Sequence, residues 1–303
     1  MDRMKVVHIC DKFGVGGSSV HGCSRLFAWW MPRFDARRFD VKLYGVRRPD
    51  ESSKTLEAAG VSVCYMGHRT LSPAILSSFL RLIRRERPDV LHLHGWIAAN
   101  FGRIAGRIAH VPTIMHEHGV DPSFPARQRT ADYLLSPLTD IAVAVSKSVK
   151  EFLISRRFVS ARKIRLIYNG APLDEFSEAD PESVAKLRSE FGISNGSPII
   201  GAIGRLSEQK GVTYLIMAAR RVLDRHPDAR FLVVGDGPKK EELMREAEHL
   251  GLKSPMIFTG YRTDIPAIQS LLDVQVFASL WEGTPLTVFE HKAHCAVFVK
   301  LNV

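Results

Sequence analysis

Short apolar runs recur along this chain of 303 residues, and helical stretches fall between them. Residues 5–10, 39–44, 61–64, 88–94, 111–116, 140–145 and 164–168 read as strands. Helical stretches run through Trp29 and Trp30 and over residues 54–60 and 76–87, and another follows residue 146. Strands that are near-continuous apolar runs, alternating with helices, indicate a parallel sheet covered on both faces. A polar stretch rich in Glu, Asp and Ser, residues 174–197, interrupts the pattern and carries one short helix near 182–191. The alternation then restarts, with strands at 198–203, 229–234, 255–260 and 274–280 and helices at 211–225 and 239–250. The expected fold is α/β, with two Rossmann-like doubly wound domains. Residues 1–173 form the first, 174–197 the linker region and 198–303 the second. The second sheet has begun by residue 303 but lacks its last covering helices, so the chain reads as C-terminally truncated.

The composition, 45% hydrophobic and 24% charged, is that of an ordinary globular protein. The formal net charge of +10 is uneven: residues 1–150 hold 22 Lys and Arg against 13 Asp and Glu, the remainder 20 against 19. The densest basic group is Arg81, Arg84, Arg85 and Arg87. A solvated helix face is the simplest account of it; an anionic membrane surface or an anionic acceptor is the functional one. Nucleic acid fits poorly, because no aromatic-interleaved basic run accompanies the charge. Cys10, Cys23, Cys64 and Cys295 share no C-x-x-C spacing, which indicates neither a zinc knuckle nor a disulfide framework and suits a reducing cytosol. No signal-peptide pattern opens the sequence, and no uncharged apolar run reaches transmembrane length. The expectation is a cytoplasmic protein, with peripheral contact at the inner face of the membrane as its one membrane reading.

Ligands of open parallel sheets bind beyond the C-terminal ends of the strands. Four features fall there. In Gly204-Arg205-Leu206…Lys210-Gly211, two cations flank a helix start, which suits a diphosphate; an exposed basic loop is the alternative. Val234-Gly235-Asp236-Gly237 is a small-residue turn that would admit a flat base. Glu282 and Glu290 bracket Pro285, where a helix begins; the amides of Leu286 and Thr287 would seat phosphate, and the carboxylates would accept from sugar hydroxyls. The last feature is a histidine-rich tip, His92, His94, His116 and His118. H-x-H on a strand puts both rings on one face, but no carboxylate stands at metal-site spacing and no D-x-D occurs in the chain. No metal is expected. His92 and His94 read as core histidines, and a histidine at the cleft would hydrogen-bond substrate. Gly14 and Gly16 form G-x-G after the first strand, but Ser19 occupies the place of the third glycine, which argues against a nicotinamide cofactor.

Taken in order, Gly16-Gly17, His118-Gly119, Val145-Ser146, Tyr168-Asn169-Gly170, the Gly204–Gly211 loop, Val234–Gly237 and Glu282-x7-Glu290 resemble the retaining glycosyltransferases of family 4, with the GT-B fold. The resemblance spans essentially the whole chain. It implies two Rossmann-like domains across a cleft, the first binding the acceptor and the second the nucleotide-sugar donor, with sugar transfer under retention of configuration and no metal or other cofactor. It implies that Arg205 and Lys210 hold the diphosphate and stabilise the leaving group, that Glu290 accepts from the ribose, and that Glu282 lies near the donor sugar. Leu286 and Thr287 would seat phosphate, Tyr261 would belong to the base pocket, Gly16 and Gly17 to the donor site, and His118 to the reacting centre. The acceptor would be a carbohydrate, a small molecule or a lipid-linked sugar. His291-Lys292-Ala293-His294-Cys295 departs from the Ala-Met-Ala that usually follows the second glutamate of the motif. Two alternatives stay open: a sugar-nucleotide epimerase of the same architecture, and an inactive fragment of such an enzyme.

Overall fold

The computed structural model describes residues 3–14, 22–172, 179–292 and 297–300, with side chains to residue 289. It divides into two compact units, Met1–Asn169 and Gly170–Val303.

The first unit holds seven strands: β1 (Met4–Cys10), β2 (Phe39–Arg47), β3 (Val63–His68), β4 (Val90–His94), β5 (Thr113–Glu117), β6 (Ile141–Ala144) and β7 (Ile164–Leu166). They pair in the order β3-β2-β1-β4-β5-β6-β7, and every pairing is parallel. The order reverses between β1 and β4, the switch point where ligands of such sheets bind. The described helices are α1 (Gly22–Trp30), α2 (Ser53–Ala58), α3 (Ala74–Glu86), α4 (Trp96–Ala109), α5 (Ala126–Leu135) and α6 (Lys147–Ser155). Strand alternation splits the core into two layers. Val7, Ile9, Leu91 and Leu93 face Phe79 and Leu82 of α3. On the opposite face Cys10 and Leu43 meet Phe27 of α1. Full burial of a side chain such as Phe27 contributes about 1.5–3 kcal/mol. The basic cluster lies on α3, whose other face buries Ile75, Phe79, Leu82 and Ile83. Arg85 donates to Glu86 and to the Tyr44 hydroxyl, so part of that charge is neutralised.

The second unit contains α7 (Pro181–Glu190), β8 (Ile199–Ile203), α8 (Val212–Leu223), β9 (Arg230–Val234), α9 (Lys240–His249), β10 (Met256–Gly260), α10 (Ile265–Leu271), β11 (Val274–Phe277), α11 (Leu286–Lys292) and β12 (Val297–Lys300). Its strands run parallel in the order β10-β9-β8-β11-β12, with the switch point between β8 and β11. Helix α7 falls inside the stretch expected to be a linker. It is capped by Asp180, which accepts from the amides of Glu182 and Ser183. Leu187 of α7 and Ile193 beyond it pack with Ile268 and Leu271 of α10, so this part of the stretch belongs to the second unit's core. Periodicity alone had not placed α4, α5 and α10 individually. Among the described residues no helix is long and apolar enough to cross a membrane.

Candidate functional site

In the second unit the loop after β8 carries Arg205, and a 3-10 turn, Glu208–Lys210, carries Lys210 to the start of α8. Backbone contacts fix this loop. The amide of Leu206 donates to Asp236 and its carbonyl accepts from Lys239. Gly235 has a φ of +134°, and a Cβ there would lie 1.9 Å from the Gly204 carbonyl oxygen. The small residues of the Val234–Gly237 turn, expected to allow close approach by a base, admit the backbone of the neighbouring loop. Gly211 behaves similarly toward the loop after β11: its φ is +59°, and a Cβ would meet the Ala278 carbonyl at 2.2 Å.

These approaches bring the ends of β8 and β11 around one concavity at the switch point, lined by Gly204, Arg205, Lys210, Ser279 and Thr287. Among the described residues the Arg205 guanidinium has no hydrogen-bond or ion-pair partner. Lys210 is paired: its Nζ lies 2.6 Å from Glu282 Oε1. Gln209 donates to the Trp281 carbonyl and Leu280 donates to the Gln209 carbonyl, so the loop holding Glu282 is stitched to the loop holding Lys210. Helix α11 starts at Leu286, and its first amides have no acceptor within the helix. Leu286 is buried and Thr287 reaches the concavity. Tyr261 follows β10 and is exposed. Glu290 lies in α11, beyond the described side chains. Gly16 and Gly17 lie outside the described residues.

The first unit gathers five imidazoles. His8 on β1 stands directly opposite His92 on β4, and His94 opposite His116 on β5. Two-residue alternation puts His8, His92, His94, His116 and His118 on one face. His8 Nδ1 lies 3.0 Å from His94 Nε2, His94 Nδ1 lies 2.9 Å from His118 Nε2, and His92 Nε2 lies 3.1 Å from His116 Nδ1. Each contact joins a residue to one two positions further along the adjacent strand. Trp30 stacks on His116 at 5.7 Å between ring centroids. Phe27 stands edge-on to His94 at 4.9 Å. Burial lowers the His8 pKa to about 3, helped by the charge of His118. Burial, then the neighbouring rings, hold His92, His94 and His116 well below the ordinary histidine value. Two triplets, His8-His92-His94 and His94-His116-His118, have ligand atoms within 4.8 Å of one another. His8 was missed at the sequence level, because only strand pairing brings β1 beside β4.

A buried charge cluster also escaped sequence reading. Arg103 Nη2 lies 2.6 Å from Asp132 Oδ1, and Arg157 Nε lies 3.1 Å from Asp132 Oδ2. Arg157 also pairs with Glu117, whose side chain leaves β5 on the face opposite His116 and His118. Asp11, at the end of β1, accepts from the amides of Ile97 and Ala98 and so caps α4. Desolvation raises its pKa to about 6, against the opposing effect of those amides.

Comparison with known proteins decides the family. The model for Glycosyltransferase Family 4 matches residues 23–175, and that for Glycosyl transferases group 1 matches residues 183–299. The chain belongs to glycosyltransferase family 4. Among the relatives of this family 4 chain is the UDP-Gal:alpha-D-GlcNAc-diphosphoundecaprenol alpha-1,3-galactosyltransferase of Escherichia coli, 32% identical over 71% of this chain and 58% of the relative. The 2-deoxystreptamine glucosyltransferase of Streptomyces kanamyceticus is 26% identical over 82% of this chain and 67% of the relative. The chain thus spans about three-fifths to two-thirds of the length of these two relatives. The crystal structure of Anabaena Alr3699/HepE in complex with UDP shares its fold, with a TM-score of 0.81 at 21% identity over 98% of this chain and 80% of that one. The two parallel sheets, each with its switch point, are those of the GT-B architecture.

Proposed function

We propose that the chain transfers a sugar from a uridine-diphosphate sugar to an acceptor, with retention of anomeric configuration and without a metal ion. The observation that carries this is the β8–β11 concavity. Arg205, with no partner among the described residues, and Lys210 both line it. Charge develops on the departing diphosphate, so cations placed there act most strongly in the transition state. Thr287, at the start of α11, also lines the concavity and adds a hydroxyl and an amide. We assign Glu282, which pairs with Lys210, to a hydroxyl of the donor sugar, and Glu290 to the ribose. Tyr261 supplies an exposed ring for the base.

The uridine assignment is supported by the E. coli relative, whose name specifies UDP-Gal, and by the HepE structures with UDP and UDP-glucose. In the first unit His118 is the residue we assign to the substrate. The basic excess of that half supports an anionic acceptor, and the E. coli relative's diphosphoundecaprenol substrate supports a lipid-linked one reached at the membrane surface. Calorimetric titration of the folded chain with UDP and with GDP tests the donor site. Saturable binding of UDP, abolished in Arg205→Ala, is expected; a folded chain that binds neither nucleotide removes the proposal. Transfer that persists in EDTA and gives a product of the donor's own anomeric configuration is expected next.

A further inference from the structure

The densest basic group of the chain is not a uniform solvated face. Ser78, Arg81, Leu82 and Arg85 recur along α3 at helical spacing, which puts them on one stripe. The stripe faces the edge strand β3. Strand alternation sends Cys64 and Met66 to one face of β3, and Cys64 stands directly opposite Tyr44 on β2. Between helix and strand edge lies a concavity of about 440 Å³ lined by these residues. Arg84 stands beside the stripe and does not line it. The groove runs along the outer margin of the sheet, two strands from β1, which at the usual strand spacing is about 10 Å from the switch point.

Its floor is apolar and its rim cationic. Tyr44 and Leu82 are buried, Met66 is partly buried, and Arg81 and Arg85 are exposed. Among the described residues Arg81 makes one hydrogen bond, from Nη2 to Ser78 Oγ, and no ion pair. Its Nε and Nη1 donors are unspent. Arg85 donates through Nε to Glu86 and through Nη2 to the Tyr44 hydroxyl, which leaves Nη1. Glu86 is oversubscribed: Lys42, Tyr44 and Arg85 all donate to it and, Lys42 foremost, hold its pKa at about 2. His68 also reaches Ser78 Oγ, at 3.0 Å. Burial, then the charges of Arg47 and Arg81, lower the His68 pKa and favour the neutral ring. Like charges four positions apart on a helix repel, and no carboxylate among the described residues meets Arg81.

We infer that this groove is a binding site for a phosphate monoester with an apolar body, remote from the reacting centre. Guanidinium groups match phosphate oxygens with paired N–H donors, and Arg81 and Arg85 offer theirs from one stripe. Tyr44, Met66 and Leu82 give the rest of the molecule an apolar bed, and the volume lies in the range of small-molecule sites. This chemistry is shared by a soluble phosphorylated amphiphile and by the headgroup of a phosphomonoester lipid. The inference stands independently of the donor site.

Cys64 supplies the reporter, because its thiol is exposed and lines the groove, whereas Cys10 is buried. Its alkylation by iodoacetamide in the full chain is followed by peptide mass spectrometry, a readout that needs no donor. The probes are hexyl phosphate, inorganic phosphate, and phosphatidylcholine vesicles with and without phosphatidic acid. Hexyl phosphate should protect Cys64 saturably, about 10-fold or more tightly than inorganic phosphate. Arg81→Gln should weaken that protection about 10-fold or more. Arg84→Gln removes the same charge beside the groove and should weaken it less than about 2-fold. UDP binding should be unchanged in both variants. Protection by hexyl phosphate that phosphatidic acid vesicles do not reproduce assigns a soluble ligand; protection by both assigns a lipid headgroup. Protection by hexyl phosphate that is absent, or no better than by inorganic phosphate, overturns the inference. So does an equal loss in Arg81→Gln and Arg84→Gln, or protection by vesicles alone, since each describes a diffuse basic surface. A matching loss of UDP binding in Arg81→Gln overturns it as well, by making the groove part of the donor site.

Discussion

Lys210 Nζ lies 2.6 Å from Glu282 Oε1, and each side chain is only about one-fifth exposed, at 24% and 21%. The sequence shows a cation for diphosphate and a carboxylate for sugar, 72 residues apart. The fold makes them a pair at the rim of one concavity, so part of the lysine's charge is already spent on the carboxylate before any ligand arrives.

That pairing separates two substitutions. Lys210→Ala should weaken UDP binding and cut transfer by about 100-fold or more, as loss of a transition-state donor typically does. Glu282→Gln releases the lysine, so UDP should bind as tightly as before or a few-fold more tightly while transfer falls. Calorimetry at two salt concentrations reads both; weaker UDP binding in Glu282→Gln would show that the carboxylate orders the loop more than it competes for the cation.

Gly235→Ala should be disproportionately harmful for one methyl group. Its φ of +134° and the 1.9 Å approach to the Gly204 carbonyl leave no room for a Cβ without moving the loop that carries Arg205. A loss of roughly 2–4 kcal/mol in denaturant unfolding is expected, together with weaker UDP binding. Wild-type affinity in this variant would show that the Arg205 loop tolerates displacement.

Asp132 is fully buried between Arg103 and Arg157 and also accepts from the Trp96 indole. Asp132→Ala leaves two buried guanidinium groups short of a counter-charge and should cost about 3–5 kcal/mol. Chemical denaturation measures this. A loss under 1 kcal/mol would mean that Glu117 or water replaces the missing carboxylate.

The histidine layer should make the protein acid-sensitive. His8 is held neutral down to about pH 3, and His92, His94 and His116 shift in the same direction, whereas the unfolded chain protonates them near 6.5. Below that value the unfolded state binds more protons, so stability is fully present above about pH 6.5 and falls as pH drops toward 3. Asp11 acts oppositely: its raised pKa stabilises the fold at low pH, and this contribution is lost as pH rises through about 6. One carboxyl against four imidazoles leaves the net slope positive, at most about 4 kcal/mol per pH unit. Urea unfolding between pH 7.5 and 5 checks the sign; a flat profile would show that the rings are protonated in the folded protein.

The sheets were legible because buried parallel strands leave uninterrupted apolar runs. The Gly204–Gly211 loop stood out because it joins glycine, arginine and lysine directly after a strand. What sequence could not supply was partnership across strands. Nothing in residues 5–10 marks His8 as the inner end of a line that continues through His94. Nothing near residue 132 announces two arginines 29 and 25 positions away. Helix α4 was not placed individually, and the Asp11 cap that begins it comes from another element, 86 residues away. The glycines of Val234–Gly237 were recognised as needing space, but the occupant of that space was a neighbouring main chain.

Along β5 the order His116, Glu117, His118 writes on both sides of the sheet at once. A shift of one residue against β4 would turn Glu117 into the imidazole layer and carry two histidines toward Arg157. Because a side-chain period of two makes every such slip complete, it would strand a carboxylate among aromatic rings and leave Arg157 without one of its two anions. The ion pair therefore acts as an indexing pin: a charge on one face guarantees which groups the strand presents on the other.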